Sequence, residues 1–217
     1  MIKISLYALL CFCFTSLTAT STYANSIEKI CIEKSDKLYC ENGVIDHITY
    51  FGDVIFHGTT VTGVTKILGD VSADHANFNT LDVTGDFNAV NTNINGCASI
   101  IGDVNSDQLI FNEKTTINGD LEATQIKFLG ATEITGDIHI SNGSFGNDLA
   151  LSSFKSTFIH STTKNIEYSP TSKQQITYLD NSVVNGNIKF SSDHGTVISR
   201  NGSVIYGTVV GGKLINQ

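Results

Sequence analysis

Six aspartates recur at near-constant intervals: Asp53, Asp70, Asp86, Asp103, Asp120 and Asp137. Each follows a glycine and precedes an apolar residue, and the steps between them are 17, 16, 17, 17 and 17 residues. Stacked, these carboxylates would form a column along one edge, open to two chemistries. A column of oxygen ligands holds hard cations such as Ca²⁺. The same acids also bond backbone amides at tight turns, with water screening their mutual repulsion. The dense acid-and-glycine loop of a dedicated calcium repeat is absent. Corner bonding is therefore the expectation, and a cation ladder over these six residues is the alternative.

The other reactive side chains are scattered. The six histidines (His47, His57, His75, His139, His160, His194) have no metal-ligand spacing in sequence, although Asp74 and His75 are adjacent and could face solvent together. Nucleophile elbows, zinc-protease helices and phosphate loops are missing. No catalytic residue, cofactor or resident metal is expected. Cys31 and Cys40, in "CIEKSDKLYC", are spaced to staple a hairpin in an oxidising compartment. Cys97 is expected to be a small buried apolar side chain, with a reactive thiol as the alternative.

The elements that position these residues come from the same period. Laying the units under one another gives three apolar columns. Val54, Val71, Phe87, Val104, Leu121 and Ile138 follow the Gly-Asp pairs. Val61, Phe78, Ile94, Phe111, Phe128 and Phe145 form the second column, and Ile67, Val83, Ile100, Ile117, Ile134 and Leu151 the third. Three anchors per repeat imply three short strands, and a strand residue advances about 3.3 Å, so 17 residues trace a loop of roughly 56 Å. The chain is thus expected to be all-β, a single-stranded parallel β-helix (a solenoid) with windings of ~17 residues and triangular section. Glycine at each corner supplies a positive φ. The pattern blurs over 152–185, where "SPTSKQQ" (169–175) reads as a loop. At 184–190, "VNGNIKF" reads as a return of the phrase, with Asn187 in place of the aspartate.

Residues 1–24 carry one lysine, a short apolar centre and a final Ala24, the parts of a signal peptide. The segments read as 1–24 leader, 25–50 disulfide-stapled N-terminal cap, 51–151 regular windings, 152–185 irregular windings and 186–217 C-terminal windings. Without the leader the chain has 12 basic and 21 acidic side chains, 12 − 21 = −9, and Arg200 is its one arginine. Such a surface repels nucleic acid and anionic lipid, and no segment reads as a membrane span.

The phrases "FGDV", "LGDV", "TGDF", "IGDV", "NGDL", "TGDI" and "NGNI", spread over residues 51–190, resemble those of the bactofilins. These are polymer-forming bacterial β-helical proteins. The resemblance implies no catalysis and assembly end to end; bactofilins are typically cytoplasmic, so this chain would be an exported variant. Catalytic β-helices such as the polysaccharide lyases have longer windings and basic clefts. The expected function is that of an exported structural protein polymerising through its solenoid ends. The alternative is an adhesin or glycan-binding module using polar faces such as "NAVNTNING" (88–96), with 152–182 as its binding loop. Its partners are then itself, or a cell-surface glycan.

Overall fold

The computed structural model describes residues 30–217. The leader read over 1–24 and the first residues of the cap lie outside the described residues.

The described chain is all β, a parallel solenoid of short strands paired winding to winding. In-register pairing aligns Leu38, Val54, Val71, Phe87, Val104, Leu121, Ile138, Ser156, Thr177, Val197 and Leu214, giving eleven windings. Each regular winding has three faces, as in Leu121–Thr124, Lys127–Phe128 and Thr132–Thr135. Strand residues alternate in and out because successive side chains point to opposite faces; Leu121–Thr124 is buried, exposed, buried, exposed.

All three sequence columns are true ladders in the pairing. The rings of Phe111 and Phe128 stack with centroids 4.9 Å apart, and those of Phe128 and Phe145 with centroids 5.0 Å apart. Each is fully or almost fully buried, a gain of roughly 1.5–3 kcal/mol per side chain.

The coil starts earlier than the sequence suggests. Strand Lys37–Glu41 already pairs in parallel with Asp53–His57, so the cap overlaps the first winding. What caps it is strand Cys31–Lys34, which folds back antiparallel with Cys31 opposite Cys40, joined by a disulfide. Ser35 and Asp36, both at positive φ, make the two-residue turn. Ile30 packs against the core at this end.

At the Gly-Asp corner, close approach matters as much as φ. A Cβ on Gly102 would lie 2.2 Å from the carbonyl oxygen of Gly85, and one on Gly119 2.1 Å from that of Gly102. Gly102 also has φ of 150°. Gly119 is not among the positive-φ glycines, so packing of winding on winding, not the bend alone, demands glycine there.

"VNGNIKF" does not restore this corner. Ile188 pairs with Ile166, which pairs with Leu149, so Gly186-Asn187 lies one face away, at the corner entering the third face. The true successors of Gly136 are Phe154, Gln175, Gly195 and Gly212, each two residues before the aligned Ser156, Thr177, Val197 and Leu214. The registers lengthen here: Ser156 to Thr177 is 21 residues and Thr177 to Val197 is 20. The extra residues bulge at this one corner, in 169–174 and 191–194, where Lys173 lies 4.7 Å over the Phe154 ring. The remainder of 152–182 continues the windings.

Candidate functional site

Three features stand out on this rod: the aspartate column, the corner opposite it in the winding, and the last winding. Each aspartate of the column bonds the next one up. Asp53 Oδ1 accepts the backbone N–H of Asp70 at 3.0 Å, Asp70 that of Asp86 at 2.9 Å, and Asp86 that of Asp103 at 2.9 Å. Asp103 accepts from Asp120 at 2.8 Å and Asp120 from Asp137 at 2.7 Å. Asp137 accepts from the amides of Lys155 and Phe154, at 3.0 and 3.3 Å, and the column stops there. One oxygen of every carboxylate thus serves the backbone of the next winding. For Asp53 this amide bond, with Lys37 at 3.1 Å, holds the acid below the usual carboxylate range. Among the described residues, no group of three or more His, Cys, Asp and Glu is placed to hold a metal ion.

A second ladder of the same kind occupies the corner of Gly186. Asp148 Oδ1 accepts from Asn165 Nδ2 at 3.0 Å, Asn165 Oδ1 from the Asn187 amide at 2.8 Å, and Asn187 Oδ1 from the Thr208 amide at 2.9 Å.

The histidines are less scattered than the sequence shows. Residues 57 and 74 are one winding apart, and Asp74 lies 2.9 Å from His57 Nδ1 and 2.6 Å from His75 Nδ1. His75 and then His57 draw the Asp74 carboxyl below its usual range. All three side chains are at the surface. Cys97 is half-buried, not fully enclosed as expected, because it sits just before the third-face strand Ala98–Ile101 and outside the core columns.

The corner six residues after each Gly-Asp glycine went unread in the sequence. Asn42, Gly58, His75, Asn91, Gln108, Gln125, Asn142, His160, Asn181 and Asn201 all have φ between 45° and 61° there. Asn and His enter this left-handed region more readily than other side chains, and Gly without penalty. Gln has no such preference, yet two adjacent windings use it. Asn91, Gln108, Gln125 and Asn142, with Thr92, Asn93, Ile110 and Lys127, line an open groove of about 690 Å³. The signal was present in the sequence as a column of Gly, His, Asn and Gln six residues after each Gly-Asp glycine.

Comparison of the chain with protein-family models, with curated proteins and with solved structures finds no match. Function must be read from the molecule itself.

The last winding is unlike the others. Ile205, Val209 and Leu214 occupy the inward columns directly above Val184, Ile188 and Val197. The lower three are fully buried, whereas Leu214 is 45% exposed and Ile205 and Val209 only partly covered. Val204, Tyr206, Val210 and Ile215 are exposed around them. The three strands here, Val204–Ile205, Val209–Val210 and Gly212–Asn216, pair only downward among the described residues. The described residues contain no helix long and apolar enough to cross a membrane.

Proposed function

We propose that this is an exported, non-catalytic structural protein, bactofilin-like in design, which joins copies of itself through its last winding. The observation that carries the reading is the exposure of the core, among the described residues, at Ile205, Val209 and Leu214. An unpaired strand edge is a template for another strand, and an open solenoid end needs a cap or a partner. The opposite end carries a disulfide hairpin and Ile30, so the two ends are not equivalent. The disulfide belongs to an oxidising compartment, which supports export.

Sedimentation and negative-stain microscopy of the purified chain test this. Association that rises with concentration, and is lost in Leu214→Glu, is the expected result. A strictly monomeric wild-type chain at high concentration sinks the proposal.

A second reading, a surface-recognition module, is favoured by one observation: the amide-lined groove at the left-handed corner, far from any strand edge the assembly would use.

A further inference from the structure

We infer that the groove along Asn91, Gln108, Gln125 and Asn142 is a binding site for an extended, neutral oligosaccharide. This rests on the recognition reading, not on end-joining.

Three observations converge on the groove. First, the four amides at its left-handed corner are uncommitted. The side chains of Asn91, Gln108, Gln125 and Asn142 make no hydrogen bond to any described residue, and the last three are exposed. The fifth amide of the lining, Asn93, behaves differently. Asn112 Nδ2 donates to Asn93 Oδ1 at 2.8 Å, and Asn93 Nδ2 to Asn95 Oδ1 at 2.7 Å, which stiffens the adjacent face.

Second, local conformation does not account for the two central residues. Gln108 and Gln125 hold φ of 59° and 56°, a strained choice for a residue that gains nothing from it. Glycine or asparagine would meet the bend at lower cost, as Gly58 and Asn142 do in the same column. What the longer glutamine adds is reach: an amide held further from the backbone.

Third, the spacing suits a repeating ligand. Successive windings place equivalent amides about 4.8 Å apart along the rod, comparable to the advance of one sugar in an extended chain. A primary amide offers two donors and a carbonyl acceptor. That matches hydroxyl groups, which also donate and accept, without selecting a charge. Ile110 supplies an apolar floor for the face of a ring, and Lys127 is the one charged residue of the lining. Five amides, four of them uncommitted, with a single charge favour a neutral glycan over a polyanion.

The test uses the full described chain with two probes, cellohexaose and chitohexaose, by calorimetry and by backbone-amide NMR shifts. The first expectation is binding of at least one probe, with shifts confined to residues near 91–93, 108–110, 125–127 and 142. The second uses the variant Gln108→Gly/Gln125→Gly, which removes both central amides and relaxes both left-handed residues. Its thermal midpoint should be equal to or above wild type while affinity falls at least tenfold. Gln108→Asn/Gln125→Asn, keeping the amide but shortening its reach, should fold as well and bind several-fold more weakly. Shifts located elsewhere, unchanged affinity in the glycine variant, or no binding of either probe at millimolar concentration each overturn the site. Sedimentation of the same variants should match wild type, so a failure here leaves end-joining separately judged.

Discussion

Two stretches of one coil solve the same packing problem differently. Windings from Val54 to Leu151 enclose a mainly apolar interior: aliphatic columns, a stacked run of phenylalanines and tight Gly-Asp corners, with Thr65, Thr115 and Thr132 the polar members of one inward column. Windings from Ser156 to Ser199 bring polar groups into the other columns as well. Ser156 and Thr177 stand in the column of Ile138, Thr163 in that of Phe145, and Tyr168 in that of Leu151. Thr163 follows Phe145 because strand 162–163 continues the pairing begun at Ser144. The swap is coordinated. Tyr168 is larger than the leucine it replaces, and its hydroxyl reaches the smaller Ser156 and Thr177, the latter at 2.7 Å. Its ring stacks on Phe190 with centroids 4.6 Å apart. Nearby, Gln175 Nε2 donates to the carbonyls of Ser153 and Ser169, both at 3.2 Å.

The corners change with the core. Where the Gly-Asp corner is tight, each aspartate ties one winding to the next; in the later windings the aspartate position becomes Lys155, Ile176, Thr196 and Lys213, and the loops 169–174 and 191–194 enlarge the corner at Ile176 and Thr196. A solenoid therefore requires equivalent volumes and satisfied polar groups in each layer, not identical residues.

This contrast can be broken most severely in the more apolar half. Phe128→Ala removes the middle ring of the stack and should cost about 3–5 kcal/mol in urea unfolding, since neighbours above and below prevent collapse. Nearly as large should be the effect of Gly119→Ala. Its Cβ would sit 2.1 Å from a backbone oxygen that cannot move without shifting a winding, so a loss of about 3 kcal/mol or more is expected.

The polar half should answer to a smaller change. Tyr168→Phe strands the Thr177 hydroxyl, while Ser156 keeps its bond to Ser153 at 3.1 Å, and should cost about 1–3 kcal/mol, whereas the double change Tyr168→Phe, Thr177→Val should recover most of that. Burial pushes the Tyr168 phenol up to about 12, with the bonds to Ser156 and Thr177 opposing. A folded pKa above the ordinary tyrosine value of about 10 means stability complete below that value and lost as pH rises toward 12. Alkaline unfolding curves should lose that limb in Tyr168→Phe; an unchanged limb would place the titration elsewhere.

Smallest is the corner effect. Asp103→Ala deletes the acceptor for the Asp120 amide at an exposed site and should cost about 1 kcal/mol or less, with Asp103→Asn near wild type. At the start of the column, Asp53 titrates below its ordinary range, so its contribution is present above about pH 4 and fades as pH falls further. Asp53→Asn should shallow the acid limb of the stability curve.

Much of this was legible in the residues alone. A strict period with three apolar columns admits one economical solution, a coil whose layers repeat, and each column from Val54 to Leu151 pairs as the spacing implies. The Cys31–Cys40 link followed from proximity in the chain. What the spacing could not give was register once windings lengthened: Gly186-Asn187 mimics the repeated phrase yet sits at a different corner, because a short motif names a type of turn, not its place around the axis. Nor could it bring His57 to Asp74, clear the amides of Gln108 and Gln125 of every partner among the described residues, or leave Leu214 uncovered by them. Those depend on which side chains the stacking sets one layer apart, a relation of distance in space that local sequence fixes only while the period holds.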